Sequence, residues 1–170
     1  WALITLLAYS ATLHGGSIKS IPSLTTRSWY GKNPIRMVID KDLTLPEHLS
    51  LFDGSTPTIV FTRRADAPTR AQIEYILLDF DCDILPQIME VLYQKKVQSL
   101  MVEGGSILLQ SFIDAGCWDE AYIECSHDHL KEGVKAPVLS TEHTCLTKKM
   151  FSKDIKYVIN KGSKHGNPTE

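Results

Sequence analysis

The sequence has no long run of basic residues. Its 170 residues include 18 lysines and arginines against 20 aspartates and glutamates, which gives a net charge of −2 at pH 7. Because the cations are scattered among the acids, the chain has neither a basic stripe for a phosphate backbone nor a polybasic anchor for a membrane surface. The composition therefore argues against nucleic-acid binding and against membrane attachment.

Cysteine is scarce and never forms a Cys-x-x-Cys pair. The four cysteines are Cys82, Cys117, Cys125 and Cys145, and most of them stand in apolar runs. Without a disulfide framework or a paired metal-ligand motif, they are interpreted as reduced thiols. The sequence therefore predicts a cytoplasmic protein.

The sequence begins without an initiator Met and without the basic segment of a signal peptide. Residues 1–9 are apolar but too few to span a bilayer, so they predict a strand. Since the chain starts inside an apolar run, residues 1–20 are interpreted as an atypical or truncated start. With 43% hydrophobic residues, residues 1–170 fit a single domain, with a mobile polar tail over residues 162–170.

A predicted strand, a tight turn and a helix follow one another in the second half of the chain. The apolar residues 100–102 lead into Glu103-Gly104-Gly105-Ser106, and helical spacing continues to Gly116. Glycines let the backbone approach a ligand closely, and the first amides of a helix have no partner within it. The segment predicts an anion site for phosphate, and the alternative is a plain chain reversal of the kind common in α/β proteins.

Glu103 occupies the last position of this predicted strand. A carboxylate is costly to bury, so it either reaches water or is kept for a polar partner such as a sugar hydroxyl. Ligands of open α/β sheets bind at the carboxyl ends of the strands, which favours a binding role. A second glycine pair, Gly15-Gly16, precedes no helical pattern and predicts a plain turn, with His14 as a solvated loop residue.

Three arginines are candidate phosphate ligands. Arg27 stands beside Trp29 in a hydroxyl-rich loop, and Arg63 and Arg64 follow the predicted strand over residues 58–62. A guanidinium presents a fork of donors that matches phosphate oxygens, and Arg63 with Arg64 would suit a 2′-phosphate. For each arginine, a surface ion pair or a solvated turn remains the alternative.

Strands and helices alternate along the chain, which indicates parallel pairing in an α/β fold. Strands are predicted over residues 35–40, 58–62, 75–78, 121–125 and 155–159, besides the central one that begins at residue 100. An Asp near residue 83 caps a helix in which Met89 is interpreted as core filling. Cys125, His127 and His129 would share one strand face, but no fourth ligand accompanies them, so no metal site is predicted.

Three segments, taken in order, resemble the reductase domain of the bifunctional riboflavin biosynthesis deaminase/reductase. They are residues 23–27 (Ser-Leu-Thr-Thr-Arg), residues 33–40 (Asn-Pro-Ile-Arg-Met-Val-Ile-Asp) and residues 102–120, from Val-Glu-Gly-Gly-Ser to Trp-Asp-Glu. Residues 133–137 are similar to a further loop of that family. The resemblance covers about residues 21–160, and the combination is specific although each segment alone is weak.

The resemblance implies a dihydrofolate-reductase-like three-layer fold, in which helices flank a mixed, mostly parallel central sheet. It implies NADPH as cofactor and the reduction of the ribosyl group of 5-amino-6-(5-phosphoribosylamino)uracil to the ribityl form. A homodimer is implied as well, together with a deaminase domain or a separate deaminase chain.

The resemblance also assigns residues, and it leaves the proton donor unidentified. The substrate-binding positions are Leu24, Arg27 and Glu103, with Arg27 suited to the substrate phosphate and Glu103 to its sugar. The cofactor-binding positions are Lys41, Gly104, Gly105 and Ser106.

The family's pattern changes before residue 23, where an expected Thr and an expected Asp fall on Gly16 and Ser20. Two other hypotheses therefore stand beside the reductase. One is a non-catalytic, dimerising remnant of the same fold, and the other is an enzyme of the dihydrofolate reductase type.

Overall fold

The computed structural model describes residues 2–5, 11–15, 33–128, 133–139, 143–149 and 152–161, with side chains from residue 33 onward. The chain divides into two compact units, one formed by Ala8–Gly105 and the other by Trp1–Leu7 together with Ser106–Glu170. The tail predicted over residues 162–170 lies outside the described residues. The elements are β1 (Ala2–Thr5), β2 (Ala11–Gly15), β3 (Ile35–Ile39), β4 (Thr58–Thr62), β5 (Ile73–Leu77), α1 (Ile84–Gln94), β6 (Leu100–Gly104), α2 (Ser106–Asp114), β7 (Glu120–Ser126), β8 (His143–Lys149) and β9 (Lys153–Asn160).

The unit formed by Ala8–Gly105 contains a five-stranded parallel sheet in the order β5-β4-β3-β2-β6. Every residue of β4 is buried, and β3 buries its three central residues. Such continuous burial is typical of a parallel strand covered on both faces. The predicted strand over residues 58–62 is confirmed, while the strand that begins at Leu100 lies at the end of this sheet and not at its centre.

Strand β2 corrects one prediction made from the sequence. Residues 12–15 were expected in a plain turn, but they form a strand between β3 and β6, with Leu13 opposite Met37 on one side and Val102 on the other. The segment Ala-Thr-Leu-His-Gly has only a short apolar content and ends in glycine, so its own composition predicts no strand. Its strand conformation follows from pairing with a neighbour on each side.

A buried guanidinium ties the amino ends of β3 and β4 together. Arg36 is fully buried, and its Nε donates to Thr58 Oγ1 at 3.0 Å. One Nη donates to the carbonyl of Ser50 at 2.7 Å, and the other donates to Asp53 Oδ1 and the carbonyl of Thr56, each at 3.0 Å. Burying a charge is costly unless it is paired and hydrogen-bonded, and these four bonds meet that requirement.

Helix α1 begins as the sequence predicts. The side chain of Asp83 accepts a hydrogen bond from the amide of Leu85 at 3.0 Å, which caps the helix. Leu85, Ile88 and Leu92 form the buried stripe. Met89 was expected in the core, but it is 40% exposed because it lies at the border of that stripe.

The unit that contains α2 has a four-stranded antiparallel sheet in the order β1-β7-β9-β8. Helix α2 buries Leu109, Phe112 and Ile113, which confirms most of its predicted stripe. Tyr122 of β7 packs on Tyr157 of β9, with ring centroids 4.8 Å apart. The sequence pattern did not predict β8, because all seven of its side chains are exposed and no alternation marks a buried face.

Neither α1 nor α2, the α-helices of the described residues, is long and apolar enough to cross a membrane.

Both α-helices end in the same hydrogen-bonded turn, with a residue of positive φ just beyond the last turn. At the end of α2 this residue is Gly116 (φ 66°), and at the end of α1 it is Lys96 (φ 55°). The amides of Cys117 and Val97 close the two turns on the carbonyls of Phe112 and Leu92.

We expect opposite effects on stability from glycine at these two positions. Lys96→Gly should raise the free energy of unfolding by about 1 kcal/mol, because a residue with a Cβ is strained at positive φ. Gly116→Ala should lower it by about 1 kcal/mol, and that cost is conformational, since an added Cβ would meet nothing within 4 Å. Urea denaturation of both variants measures the difference, and a shift of the same sign in both would contradict this account.

Candidate functional site at the carboxyl edge of the parallel sheet

Parallel pairing brings the carboxyl ends of all five strands to one edge of the sheet, which is where open α/β sheets bind ligands. At this edge β2 and β6 run side by side. Their register pairs His14 with Glu103 and Gly15 with Gly104. The last residues of the two strands, Gly15 and Gly104, are therefore neighbours.

The end of β2, at Gly15, was not predicted to be part of the site. Gly15 ends β2 beside Gly104, and both strands are followed by a further glycine and a serine in the sequence. The shared Gly-Gly-Ser, repeated at residues 15–17 and 104–106, is the signal that could have identified it. Gly16 and Ser17 lie outside the described residues.

Glu103 is the half-buried carboxylate of this edge. It follows the buried Val102, and burial raises the pKa of its carboxyl group. No described residue donates a hydrogen bond to it. A half-buried carboxylate is suited to accept hydrogen bonds from hydroxyl groups of a ligand.

The next strands along the edge place three cations together, and we call Lys41, Arg63 and Arg64 the basic edge. The carbonyl of Lys41 accepts hydrogen bonds from the amide of Arg63 at 3.1 Å and from the hydroxyl of Thr62 at 3.0 Å. The segments that follow β3 and β4 are thereby joined. The ammonium group of Lys41 lies 5.4 Å from the centre of the Phe80 ring.

Both arginines of the basic edge are paired with carboxylates in the structure. Arg63 Nε donates to Asp42 Oδ1 at 2.7 Å, and Arg64 forms a two-bond pair with Asp66 at 2.7 and 2.6 Å. The side chains of Arg63 and Arg64 are 53% and 49% exposed. Exposed ion pairs contribute little free energy, so a phosphate can replace these carboxylates as the partner.

A buried carboxylate shapes the segment that carries Lys41. Asp40, at the end of β3, accepts hydrogen bonds from the amides of Thr44 at 2.9 Å and Leu45 at 3.0 Å. The Thr44 hydroxyl donates to it as well, at 3.3 Å. Asp40 thus supports the conformation of the loop after β3 and contributes no exposed charge to the edge.

Four further residues were predicted for the site. Leu24 and Arg27 fall outside the described residues, so their roles stay predictions. Gly105 follows β6 directly, and Ser106 is the first residue of α2.

Among the residues whose side chains are described, no group of three or more histidine, cysteine, aspartate or glutamate residues is placed to hold a metal ion. His127, just beyond β7, lies 3.1 Å from Asp154 Oδ1, and His129 is outside the described residues. All four cysteines are free thiols, as the sequence predicts.

Residues 14–125, well over half of the chain, match the family described as the RibD C-terminal domain. The chain belongs to this family. A relative from Bacillus amyloliquefaciens, the riboflavin biosynthesis protein RibD, is 36% identical over 116 residues, which are 63% of this chain and 31% of that protein. A second, from Methanothermobacter thermautotrophicus, is a 2,5-diamino-6-ribosylamino-4(3H)-pyrimidinone 5′-phosphate reductase, 28% identical over 55% of this chain and 45% of the relative. The chain thus spans less than half of the length of these curated relatives.

Solved structures show the same fold. A deaminase/5-amino-6-(5-phosphoribosylamino)uracil reductase from Thermotoga maritima has a TM-score of 0.74 at 25% identity, covering 89% of this chain and 45% of the other. RibD from Acinetobacter baumannii has a TM-score of 0.65 at 15% identity. The match covers 89% of this chain and 47% of the RibD chain. These likenesses confirm the predicted α/β class with a dihydrofolate-reductase-like fold.

The raised pKa of Glu103 gives stability a defined dependence on pH. A group whose pKa rises on folding contributes stability that is fully present below its unfolded pKa and is lost as the pH rises through the folded value. We therefore expect Glu103→Gln to increase the free energy of unfolding at neutral pH, and to leave it nearly unchanged at about pH 4.

Urea denaturation over a pH series measures this effect. Glu90→Gln, on the exposed face of α1, is the control and should follow the parent chain across the series. A Glu103→Gln variant that is less stable at neutral pH would show that the carboxylate has a stabilising partner in the folded chain.

Proposed function

We propose that this chain is the reductase of riboflavin biosynthesis that reduces the ribosyl group of 5-amino-6-(5-phosphoribosylamino)uracil to the ribityl form with NADPH. Membership of the RibD C-terminal domain family supports the reaction class. The observation that carries the proposal is the register of β2 and β6, which sets Glu103-Gly104 beside His14-Gly15 at the carboxyl edge of the sheet. Two relatives with reductase names agree with it.

The residues of this edge suit the two ligands. Gly104, Gly105 and the first amides of α2 would hold the cofactor phosphates, with Ser106 as the first helical residue. Glu103 would accept hydrogen bonds from the sugar of the substrate. The resemblance to the family adds Arg27 for the substrate phosphate and Leu24 as a further substrate contact. The bound cofactor supplies the hydride, so the chain's task is to hold the sugar and the nicotinamide in reacting geometry.

The basic edge supports NADPH as the preferred cofactor. NADPH differs from NADH by a 2′-phosphate, which is negatively charged. Lys41, Arg63 and Arg64 carry three positive charges, and the carboxylates paired with the two arginines, Asp42 and Asp66, carry two negative ones. Because both arginine pairs are exposed, each guanidinium can exchange its carboxylate partner for a phosphate without a large loss of free energy.

We further propose that the chain works beside a deaminase and as a homodimer in the cytoplasm. The Thermotoga maritima protein unites both activities, by its name, in one chain about twice the length covered here. One face of the antiparallel sheet offers a dimer contact, since Leu146 and Ile159 are exposed there beside the tyrosine pair. Glu124 of β7 and Lys148 of β8 lie on this same face, which allows acid-to-base contacts between two copies.

Turnover of the ribosylaminouracil by the purified chain tests the proposed reaction. With NADPH we expect substrate-dependent loss of NADPH absorbance, and about ten- to hundredfold lower kcat/KM in Glu103→Gln, because a hydrogen bond to a charged group is lost. Arg27→Ala should raise the KM for the substrate. Glu90→Gln is the matched control and should keep the parental rate.

Two outcomes would contradict the proposal. Parental turnover in both Glu103→Gln and Arg27→Ala would remove the site assignment. Saturable binding of NADPH without any turnover would favour a non-catalytic chain of the same fold.

Cofactor preference is tested by titrating single variants of the basic edge with NADPH and NADH. Arg63→Ala and Arg64→Ala should each weaken NADPH binding by about tenfold, because a charge-assisted hydrogen bond to the 2′-phosphate is lost, while NADH binding stays within about twofold. Lys95→Ala removes an equal charge from the pair with Glu74 and serves as the control. Equal losses for the two cofactors would contradict a role in 2′-phosphate binding.

A further inference from the structure

A cavity of about 470 Å³ lies between α2 and the loop formed by residues 133–139. One wall is α2, beginning with its first two residues, Ser106 and Ile107, and the other is the stretch of the loop from Lys135 to Val138. Ile107 is 86% exposed and faces this space. The width of the cavity is therefore set by where the loop sits against the helix.

Among the described residues, the side chain of Gln110 joins the loop to the helix by hydrogen bonds. Gln110 of α2 accepts a hydrogen bond from the amide of Val138 at 2.9 Å and donates one from Nε2 to the carbonyl of the same residue at 3.2 Å. The side-chain amide thus pairs with a peptide group as a neighbouring strand would. We call this pair of bonds the Gln110 clasp.

A carboxylate on the same helix fixes the orientation of the amide. Nε2 of Gln110 also donates to Asp114 Oδ1 at 2.7 Å, four residues further along α2. Because Nε2 carries two hydrogens, it can serve Asp114 and the carbonyl of Val138 together, which leaves Oε1 to face the amide of Val138. Asp114 therefore supports the clasp through its hydrogen bond with Gln110.

Few other contacts between the described residues attach the loop of residues 133–139 to α2. Among the residues that the structure describes, no other hydrogen bond joins residues 133–139 to α2. Val134, Lys135 and Val138 are exposed, and Pro137 and Leu139 are partly buried, so burial of side chains makes a limited contribution to the attachment. The two hydrogen bonds of the clasp contribute only about 1 kcal/mol each.

We propose that Gln110 is a positioning residue that holds the loop of residues 133–139 as a releasable wall of the cavity beside the first turn of α2. The inference rests on the proposed function, in which that turn carries the cofactor phosphates. The clasp then sets how closely the loop borders the bound cofactor. Gln110 acts on cofactor affinity through Val138 and makes no contact with the cofactor itself.

Gln110→Glu tests the clasp with nearly the same shape. At neutral pH the introduced carboxylate has no hydrogen to donate to the carbonyl of Val138, and Asp114 repels it. In acid, the protonated carboxyl group has one O–H and one carbonyl oxygen, and it can remake both bonds. The charged groups that face it are Asp114 on its own helix and Lys135 on the loop.

Gln94→Glu is the matched control. Gln94 of α1 donates from Nε2 to Glu90 Oε1 at 2.8 Å, four residues away on an exposed helix face. The substitution therefore makes the same change beside the same type of carboxylate, with no loop attached.

Hydrogen exchange at the Val138 amide and trypsin cleavage after Lys135 report the clasp directly. At pH 8 we expect both to be about tenfold faster in Gln110→Glu than in the parent chain, with exchange compared after correction for its intrinsic pH dependence. At pH 5, exchange should return towards the parental value. Gln94→Glu should match the parent at both pH values, and parental exchange in Gln110→Glu at pH 8 would overturn the clasp.

Titration with NADPH reports the positioning role separately. The Kd of Gln110→Glu should be about three- to tenfold higher than that of the parent at pH 8 and should approach the parental value at pH 5. Faster exchange at Val138 with an unchanged Kd would overturn the positioning role. A parent chain that binds no NADPH would overturn the proposed function and the effect on affinity with it, whereas the exchange measurement would still decide the clasp.

Discussion

The site depends on the in-register parallel pairing of β2 with its two neighbours. Because β2 lies between β3 and β6, it aligns the ends of strands that are far apart in sequence. A shift of β2 by one residue would separate Gly15 from Gly104 and turn the strand's side chains to the opposite face of the sheet.

The two edges of the parallel sheet differ in how their charges are held. At the amino edge, Arg36 is buried and each of its bonds ends on a group of the same unit. At the carboxyl edge, Arg63 and Arg64 form exposed pairs that a ligand can replace at small cost. The first arrangement fixes the alignment of β3 and β4, and the second leaves cations available where these strands end.

Local sequence signals predicted the parts of the fold whose residues carry their own pattern. The apolar run of β4, the Asp83 cap of α1 and the turn at Gly116 all follow from the residues present. Strand β2 was missed because its pairing with two neighbours outweighs a weak local preference, and β8 was missed because it has no buried face. For the candidate site, Glu103 and Gly104 were predicted from one segment, but their proximity to Gly15 is a property of the sheet and appears only with its register.

Arg36 has a consequence for the behaviour of the sheet in acid. Its partner Asp53 has a pKa of about 2, lowered first by hydrogen bonds from Ser55 and then by the bond from Arg36. This carboxylate therefore favours the folded chain in full above the ordinary aspartate pKa and loses its effect as the pH falls towards 2. Glu103, at the other edge, has a raised pKa, so its contribution to stability is present in acid and is lost as the pH rises. As far as these two groups decide it, the unit formed by Ala8–Gly105 is most stable in mildly acidic solution, and the rise to neutral pH costs stability at Glu103.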